Sequence, residues 1–307
     1  MRNAFASEIT ALAEENQRIV LLSGDIGNRL FDIFKQRFPD RFFNCGVAEA
    51  NMTSMAAGMA MCNLFPVTYT IAPFNTTRCL EQIRVDICYH NLPVIIVGIG
   101  SGLSYAGLGG THHSCEDIAL LRAFPNINIV CPGDAVEVRL ALQAAFRNNS
   151  PIYLRLGKKN EPIVHKKKPC FKIGKGIIVI KGTKICILST GNTLPIAIEA
   201  SSMLNEQGIS TQVVSFHTVK PLDTELLTEL FTTFQIIVTV EEHSRIGGLG
   251  GSVAEWLSDQ TRISGKLYRF GTSDSFIHSS GNQNNARKMI GLTPANIFNK
   301  ILMELKN

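Results

Sequence analysis

Two short stretches carry residues whose types suit them to proton and carbonyl chemistry. In GVAEANM, residues 46 to 52, a carboxylate, Glu49, stands in the first turn of a helical pattern that is otherwise mostly small or sulfur-containing. Met52, Met55 and Met59 fall on one stripe of that helix, with Ala and Gly over most of the remainder, a composition suited to burial on several sides. Glu49 is therefore expected close to a buried surface, where a carboxylate is costly unless paired or hydrogen-bonded. A first-turn acid can also simply complement the positive end of the helix dipole, and this stretch by itself leaves both roles open.

The second stretch is GIGSGLSYAGLGGTHHSCED, residues 98 to 117. Its glycines lack the Lys-Ser/Thr pair of a P-loop, so their spacing is weak evidence for a phosphate cradle. Thr111-His112-His113 lies at the end of this flexible segment, where an imidazole could reach a substrate oxygen and act as general acid or base. A satisfied surface or core histidine is the alternative.

The elements that must position these groups read as two α/β domains with mainly parallel sheets. Short β-branched runs recur, each closed by a Gly, Pro or Asp turn and followed by a helical pattern: IVLLSGD (19 to 25), LPVIIVGIGSG (92 to 102), INIVCPGD (127 to 134) and PIYLRLG (151 to 157). Runs apolar on both faces that alternate with helices imply parallel strands covered on both sides. The same grammar restarts with KICILSTGN (184 to 192), STQVVSFHTVKPLD (210 to 223) and FQIIVTVEEH (234 to 243), followed by a helix beginning near Gly251. The expected division is a domain over 1–157, a basic linker over 158–180 and a smaller domain over 181–307. In such sheets ligands sit beyond the carboxyl ends of strands, where GDIGN, the Gly-rich loop and RLGKKN all fall.

Composition narrows the function classes. A chain of 307 residues suits about two domains. With 45% hydrophobic and 18% charged residues it is globular, which excludes disordered and fibrous architectures. No apolar run reaches membrane-spanning length, and MRNAFASEITALAEENQ reads as an amphipathic helix with Phe5, Ile9 and Leu12 on one side, so a cytoplasmic protein without membrane attachment is expected. The eight cysteines show no C-x-x-C pair and sit mostly in apolar segments, which reads as reduced core thiols without a metal site. The net charge of +5 is mild, and the densest basic stretch, KKNEPIVHKKKP (158 to 169), lacks the aromatic or Arg-rich interleaving of a nucleic-acid surface; Lys166, Lys167 and Lys168 read as solvated linker.

Taken in order, GDIG, NCGVAEANM, TYTIAPFNTTRCLEQIR, SGLSYAGLGGTHHSCEDIALLRAFPNINIVCPGD and YLRLGKKN closely resemble the pyrimidine-binding domain of transketolase-type thiamine diphosphate enzymes. VTVEEHSRIGGLGGSVAEWL and GTSDSFIHSSG look like the transketolase C-terminal domain, so the resemblance spans nearly the whole chain. It implies that Glu49 hydrogen-bonds N1′ of the cofactor aminopyrimidine and favours the imino tautomer that activates the thiazolium. Asp25 and Ile26 match the segment whose aliphatic side chain wedges the cofactor into its bent form, and Phe74 matches the aromatic that stacks on the pyrimidine. His112 matches a histidine that contacts donor and acceptor oxygens, and Lys158 falls where many relatives hold a substrate phosphate with Arg. A lysine there offers a point charge without a bidentate fork. Singly, each has a plainer reading: Ile26 and Phe74 as core, Arg78 and Arg84 as solvated helix faces, Lys158 as linker.

Two departures accompany the resemblance. Ile71 stands where relatives usually have an aromatic residue, and Gly107-Leu108 where they usually have Glu-Asp, the Asp contacting a donor hydroxyl. Leu108 removes that acceptor, so altered donor discrimination is expected, with poor use of ordinary pentose phosphate donors. The chain also lacks the family's G-D-G…N motif for the diphosphate and Mg²⁺. The resemblance therefore implies the β-type half of a split transketolase, paired with an α-type chain that brings the diphosphate and Mg²⁺ ligands, in an α₂β₂ assembly. The Met/Ala helix after Glu49 is a candidate for the interface and equally for core. The implied activity is transfer of a two-carbon ketol unit from a ketose to an aldose, sugar or sugar phosphate, through the thiamine diphosphate ylid. The alternatives are a 1-deoxyxylulose 5-phosphate synthase-like or 2-oxo acid dehydrogenase β-type subunit and, less favoured, a non-catalytic scaffold subunit.

Overall fold

Strands buried on both faces need apolar side chains at every position, and the chain supplies them in runs of about five. In chain order the strands are β1 (Ile19–Ser23), β2 (Phe42–Asn44), β3 (Phe65–Ile71), β4 (Ile95–Ile99), β5 (Asn128–Val130), β6 (Ile152–Leu156), β7 (Ile177–Ile180), β8 (Ile185–Ser189), β9 (Thr211–Ser215), β10 (Thr218–Lys220), β11 (Ile236–Ser244) and β12 (Lys266–Thr272). Every residue of β1, β3, β4, β6, β8 and β9 is buried, as parallel strands under two helical layers must be. The computed structural model describes residues 1–306 apart from 28, 262, 264, 279 and 280, and of Lys306 the backbone only. Asn28 of GDIGN and Ser279 and Ser280 of GTSDSFIHSSG thus lie outside the described residues.

The strands form two sheets, ordered β10-β5-β6-β4-β3-β1-β2 and β12-β11-β8-β9-β7. All pairings are parallel except β10 on β5 and β7 on β9. On one face of the first sheet the helices Arg2–Glu15 and Ala135–Ala145 enclose a core around Phe5, Ile9, Leu21, Val97 and Leu154. On the other, Met52, Ala56, Ala57 and Ala60 of the helix Glu49–Met61 pack with Ile83 and Ile87 of a π-helical stretch, Ile83–Tyr89. That second core runs on without a break into the facing side of the second sheet, through Cys131, Leu188, Val214, Phe216 and Leu249. The helices Leu194–Glu206 and Pro294–Lys306 cover the far side. Among the described residues no helix is long and apolar enough to cross a membrane.

Three readings of the sequence need correction. The segment 158–180 is not linker to its end: Ile177–Ile180 forms the antiparallel edge strand β7 of the second sheet, which its lysine-rich neighbourhood obscured. STQVVSFHTVKPLD is not one strand, because the chain turns at buried Phe216 and His217 and then delivers β10 to the first sheet, Thr218 pairing with Val130. The strands β2, β3, β7 and β12 do not appear among the runs that mark strands in the sequence. β3 lies within the motif stretch, β2 is a short exposed edge, and β12 is flanked by polar residues and half-exposed. The remainder of 158–180 is pinned to the body: the backbone N–H groups of Val164 and His165 donate to Asp134 Oδ2 at 2.8 and 2.9 Å, and the His165 ring meets Glu137 Oε1 at 2.7 Å. All eight cysteines are free; five are buried, whereas Cys62 and Cys170 are exposed.

Candidate active site

The helix Glu49–Met61 opens on its carboxylate, with Ala48 at the N-cap and no side-chain cap, so Glu49 lies where the helix dipole favours negative charge. Glu49 is only 2% exposed. Its Oε2 accepts from Arg78 Nη1 at 2.7 Å, and Oε1 has no protein donor among the described residues. Oε1 is therefore left to solvent at the mouth of an otherwise buried side chain, a position where a ligand donor can replace water. The end of β1 comes close beside it: a Cβ added at Gly24 would lie 3.4 Å from Glu49 Cγ and 3.1 Å from Thr70 Oγ1. That hydroxyl, at the end of β3, is itself buried without a hydrogen-bond partner among the described residues. An open carboxylate oxygen, a hydroxyl without a partner among the described residues and a backbone position where a side chain would press on both together make a small polar cradle.

The turn after Gly24 holds the next two residues. Asp25 adopts a left-handed backbone (φ 50°) and accepts from Asn44 Nδ2 at 2.9 Å, while Asn44 Oδ1 also takes the N–H of Gly46 at 3.0 Å, so GDIG and NCGVAE are tied together. The Ile26 carbonyl accepts from Ser23 Oγ at 3.0 Å, and its side chain packs half-buried against the first core. Ile71 is buried in that same core, where β3 ends.

Phe74 sits on the helical turn Ala72–Asn75 that follows β3, and two charged or titratable groups meet its ring. The Arg78 guanidinium lies over the ring at 4.2 Å from the centroid, and the His112 ring meets it edge-on at 5.2 Å. His112 in turn faces Tyr105 at 6.2 Å, and Lys158 Nζ lies 4.4 Å from the Tyr105 centroid. A continuous chain of contacts therefore runs Glu49, Arg78, Phe74, His112, Tyr105, Lys158. Its members come from separate segments that meet beyond the carboxyl ends of the strands. Burial, with His113 and Arg78 adding to it, holds His112 below the ordinary histidine value, and its Nδ1 pairs with Thr111 Oγ1 at 2.9 Å. The neutral imidazole is thereby favoured, the form able both to donate and to accept.

Leu108 shares the loop with His112 but is 56% exposed and belongs to no core cluster, so the structure does not bury it against the other site residues. Arg78 is more than a solvated helix face, because its guanidinium links Glu49 to Phe74. Its four-residue spacing from Phe74 is the available signal. Arg84 matches the plainer reading, paired with Glu81 on the surface at 2.8 Å. Sequence reasoning does not find Tyr105 or Thr70. The one signal for Tyr105 is Gly100, where a Cβ would lie 1.9 Å from its ring and the backbone has φ +71°.

The fold, two mainly parallel α/β domains with a glutamate buried at the strand ends, places the chain among α/β proteins whose sites lie at strand ends. Residues 1–163 match the family model described as transketolase, pyrimidine binding domain, and residues 174–297 match transketolase, C-terminal domain. The chain is 36% identical over 260 residues to one of the subunits of the apulose-4-phosphate transketolase of Phocaeicola vulgatus, covering 84% of this chain and 83% of that one. It is 32% identical over 277 residues to the 6-deoxy-6-sulfo-D-fructose transketolase subunit SqwH of a Clostridium species, covering 90% and 85%. Among solved structures, a split-gene transketolase described as an inactive β4 tetramer superposes with a TM-score of 0.90 at 35% identity, covering 99% of this chain and 98% of that one. The chain belongs to the transketolase family, of which it carries the pyrimidine-binding and C-terminal domains.

Proposed function

We propose that this chain is the β-type subunit of a split transketolase, a transferase that moves a two-carbon ketol unit from a ketose donor to an aldose acceptor. It works with thiamine diphosphate and Mg²⁺, and only alongside an α-type chain that supplies the diphosphate and Mg²⁺ ligands. The single observation that carries the reading is Glu49: buried at a helix start, with one oxygen on Arg78 and the other open. The residues present fit the aminopyrimidine end of the cofactor, since Glu49 Oε1 and Thr70 Oγ1 lack partners among the described residues and Gly24 leaves room beside both. When bound, the cofactor supplies the carbanion-stabilising chemistry, and the protein supplies binding, orientation and exclusion of water.

In this reading Glu49 holds the proton balance at the aminopyrimidine ring nitrogen, Ile26 and Asp25 shape the wall beneath the bend, and Phe74 offers its ring to the pyrimidine. His112, kept neutral, gives or takes a proton at substrate oxygens. Lys158 offers a positive charge to a substrate phosphate. Leu108 presents no acceptor where a donor hydroxyl would otherwise be read, which favours donors other than ordinary pentose phosphates. The exposed apolar side chains Phe43 and Val47, just ahead of Glu49, support a second chain closing over the cofactor and an α₂β₂ assembly. The description of a similar split-gene β tetramer as inactive supports the need for the partner.

Reconstitution with its α-type chain, thiamine diphosphate and Mg²⁺, followed by a ketol-transfer assay over a panel of ketose donors, tests the proposal. Transfer by the complex and none by either chain alone is expected. A complex whose activity is unchanged by Glu49→Gln would sink the catalytic reading and leave a scaffold subunit.

A further inference from the structure

The loop that carries His112 and Leu108 is closed on itself. Gly102 and Ser114 exchange both backbone hydrogen bonds, at 3.0 and 2.9 Å, so residues 103 to 113 form a compact loop with its ends pinched together. Within it, Leu108 N–H donates to the Tyr105 carbonyl at 2.8 Å and His112 N–H to the Gly109 carbonyl at 3.0 Å, so the backbone beneath His112 is set by the loop's own turns. The other domain also reaches the base of this loop.

Glu242, near the end of β11 in the second sheet, is fully buried and reaches back to the pinch. Its Oε1 accepts from the Leu103 N–H at 2.7 Å, the first amide beyond the bridge. A Cβ at Gly102 would lie 2.6 Å from both Glu242 Oε1 and the Glu242 carbonyl, so only glycine, here with φ +61°, lets the loop base come this close. The Glu242 carbonyl accepts from Arg155 Nη2 at 3.0 Å, and the same nitrogen donates to the Ser114 carbonyl at 2.8 Å. Both ends of the loop thus meet Glu242 directly or through one guanidinium.

The carboxylate is charge-balanced from its own domain. Arg287 Nε, on the short helix Gln283–Met289, pairs with Glu242 Oε2. Gln283 Nε2 donates to both carboxylate oxygens at 2.9 and 3.1 Å and reaches Ser104 Oγ in the loop at 3.3 Å. Beneath this polar cluster Leu103, Ala106 and Cys115 pack on Ala286 of that helix. A buried, multiply hydrogen-bonded carboxylate with its cation is rigid, because each member is costly to leave unpaired.

We infer that Glu242, held by Arg287, is the positioning residue of the substrate loop, through which the C-terminal domain sets how His112 and Leu108 face the donor. Glu242 touches no reacting atom. The inference rests on the transketolase reading only for the consequence in catalysis; the mechanical link belongs to the chain by itself.

The test compares wild type, Arg287→Met, Arg287→Lys and Glu242→Gln. Hydrogen exchange of the full chain, without substrate, reads the loop. Arg287→Met is expected to speed exchange of amides 103 to 114 by about tenfold while the helices Arg2–Glu15 and Glu49–Met61 stay protected, a local opening in place of global loosening. In the reconstituted complex the donor KM is expected to rise by about tenfold and kcat to fall by about three- to tenfold, since the misplaced loop weakens donor binding and turns His112 away from the reacting oxygens. Arg287→Lys is expected to recover part of both effects, and Glu242→Gln, which keeps an acceptor for Leu103, to fall between. Unchanged loop exchange in Arg287→Met overturns the inference. So does exchange that rises equally everywhere with KM unchanged, the mark of a merely structural contact. Should Glu242→Gln fail to fold, the two Arg287 variants still decide. An inactive wild-type complex would defeat the transketolase reading, whereas the loop exchange would stand or fall separately.

Discussion

Glu49, at a helix start, and Glu242, near the end of strand β11, are both buried glutamates, and the difference between them is how far the protein itself occupies their oxygens. Glu242 accepts from Leu103, Asn192, Gln283 and Arg287, so its lone pairs are spent within the protein. Among the described residues the Glu49 carboxylate accepts from Arg78 alone. Arg78 is 44% exposed, so even that pair is open to solvent on one side. A saturated buried carboxylate resists change and suits positioning, whereas an unsaturated one keeps a coordination place for a ligand. Satisfaction, and not burial, is what distinguishes the two.

The comparison breaks most sharply at Glu49 itself. Glu49→Gln keeps the size and a carbonyl acceptor but cannot hold the same proton balance, and activity of the complex is expected to drop by about 10³-fold with the melting temperature nearly unchanged. Steady-state rates beside a thermal melt check this; an equal loss of stability would mean that Glu49 is saturated in the assembled enzyme, like Glu242.

Donor choice comes next in size. Leu108→Asp restores an acceptor on the exposed loop, and kcat/KM for xylulose 5-phosphate is expected to rise by about ten- to a hundredfold relative to the wild-type chain, as a hydrogen-bonded hydroxyl discriminates. Full wild-type activity on that donor would instead remove any role for Leu108.

Arg78→Met leaves Glu49 without its protein donor. Because the pair is partly solvent-screened, the stability loss is expected to stay within about 1 kcal/mol. The apparent affinity for thiamine diphosphate is expected to weaken by about tenfold, read by titrating the apo complex.

The smallest effect is in pH. Burial and neighbouring charge keep His112 below its ordinary value of 6.5, so the neutral form predominates at that pH and the proton is gained mainly at more acidic values. Donor KM is expected to be nearly flat well above pH 6.5 and to rise a few-fold as the pH falls below it, and His112→Asn should flatten the profile. A midpoint above 6.5 would show that the assembled site raises the pKa of His112.

Much of the first domain is legible because its signals are local. Both-face apolar runs mark β1, β4 and β6, the Met/Ala helix starts at Glu49 as its pattern indicates, and Phe5 and Ile9 lie buried on one side of the first helix. The site residues are legible only through motif order, since Phe74 alone reads as core and His112 alone as a loop histidine. Arg78 is misread because nothing in TTRCLEQIR says which face of an irregular, partly π-helical segment meets Glu49.

The sequence by itself determined the periodicities, the strand runs and the identity of the groups able to do chemistry, because those depend on residues close in the chain. Only the tertiary structure decided that β10 returns to the first sheet, that Glu242 reaches Leu103 across 139 positions, and that Glu49 keeps one oxygen open among the described residues. Long-range pairing and the count of donors around a buried acceptor are properties of packing, and no local pattern encodes them.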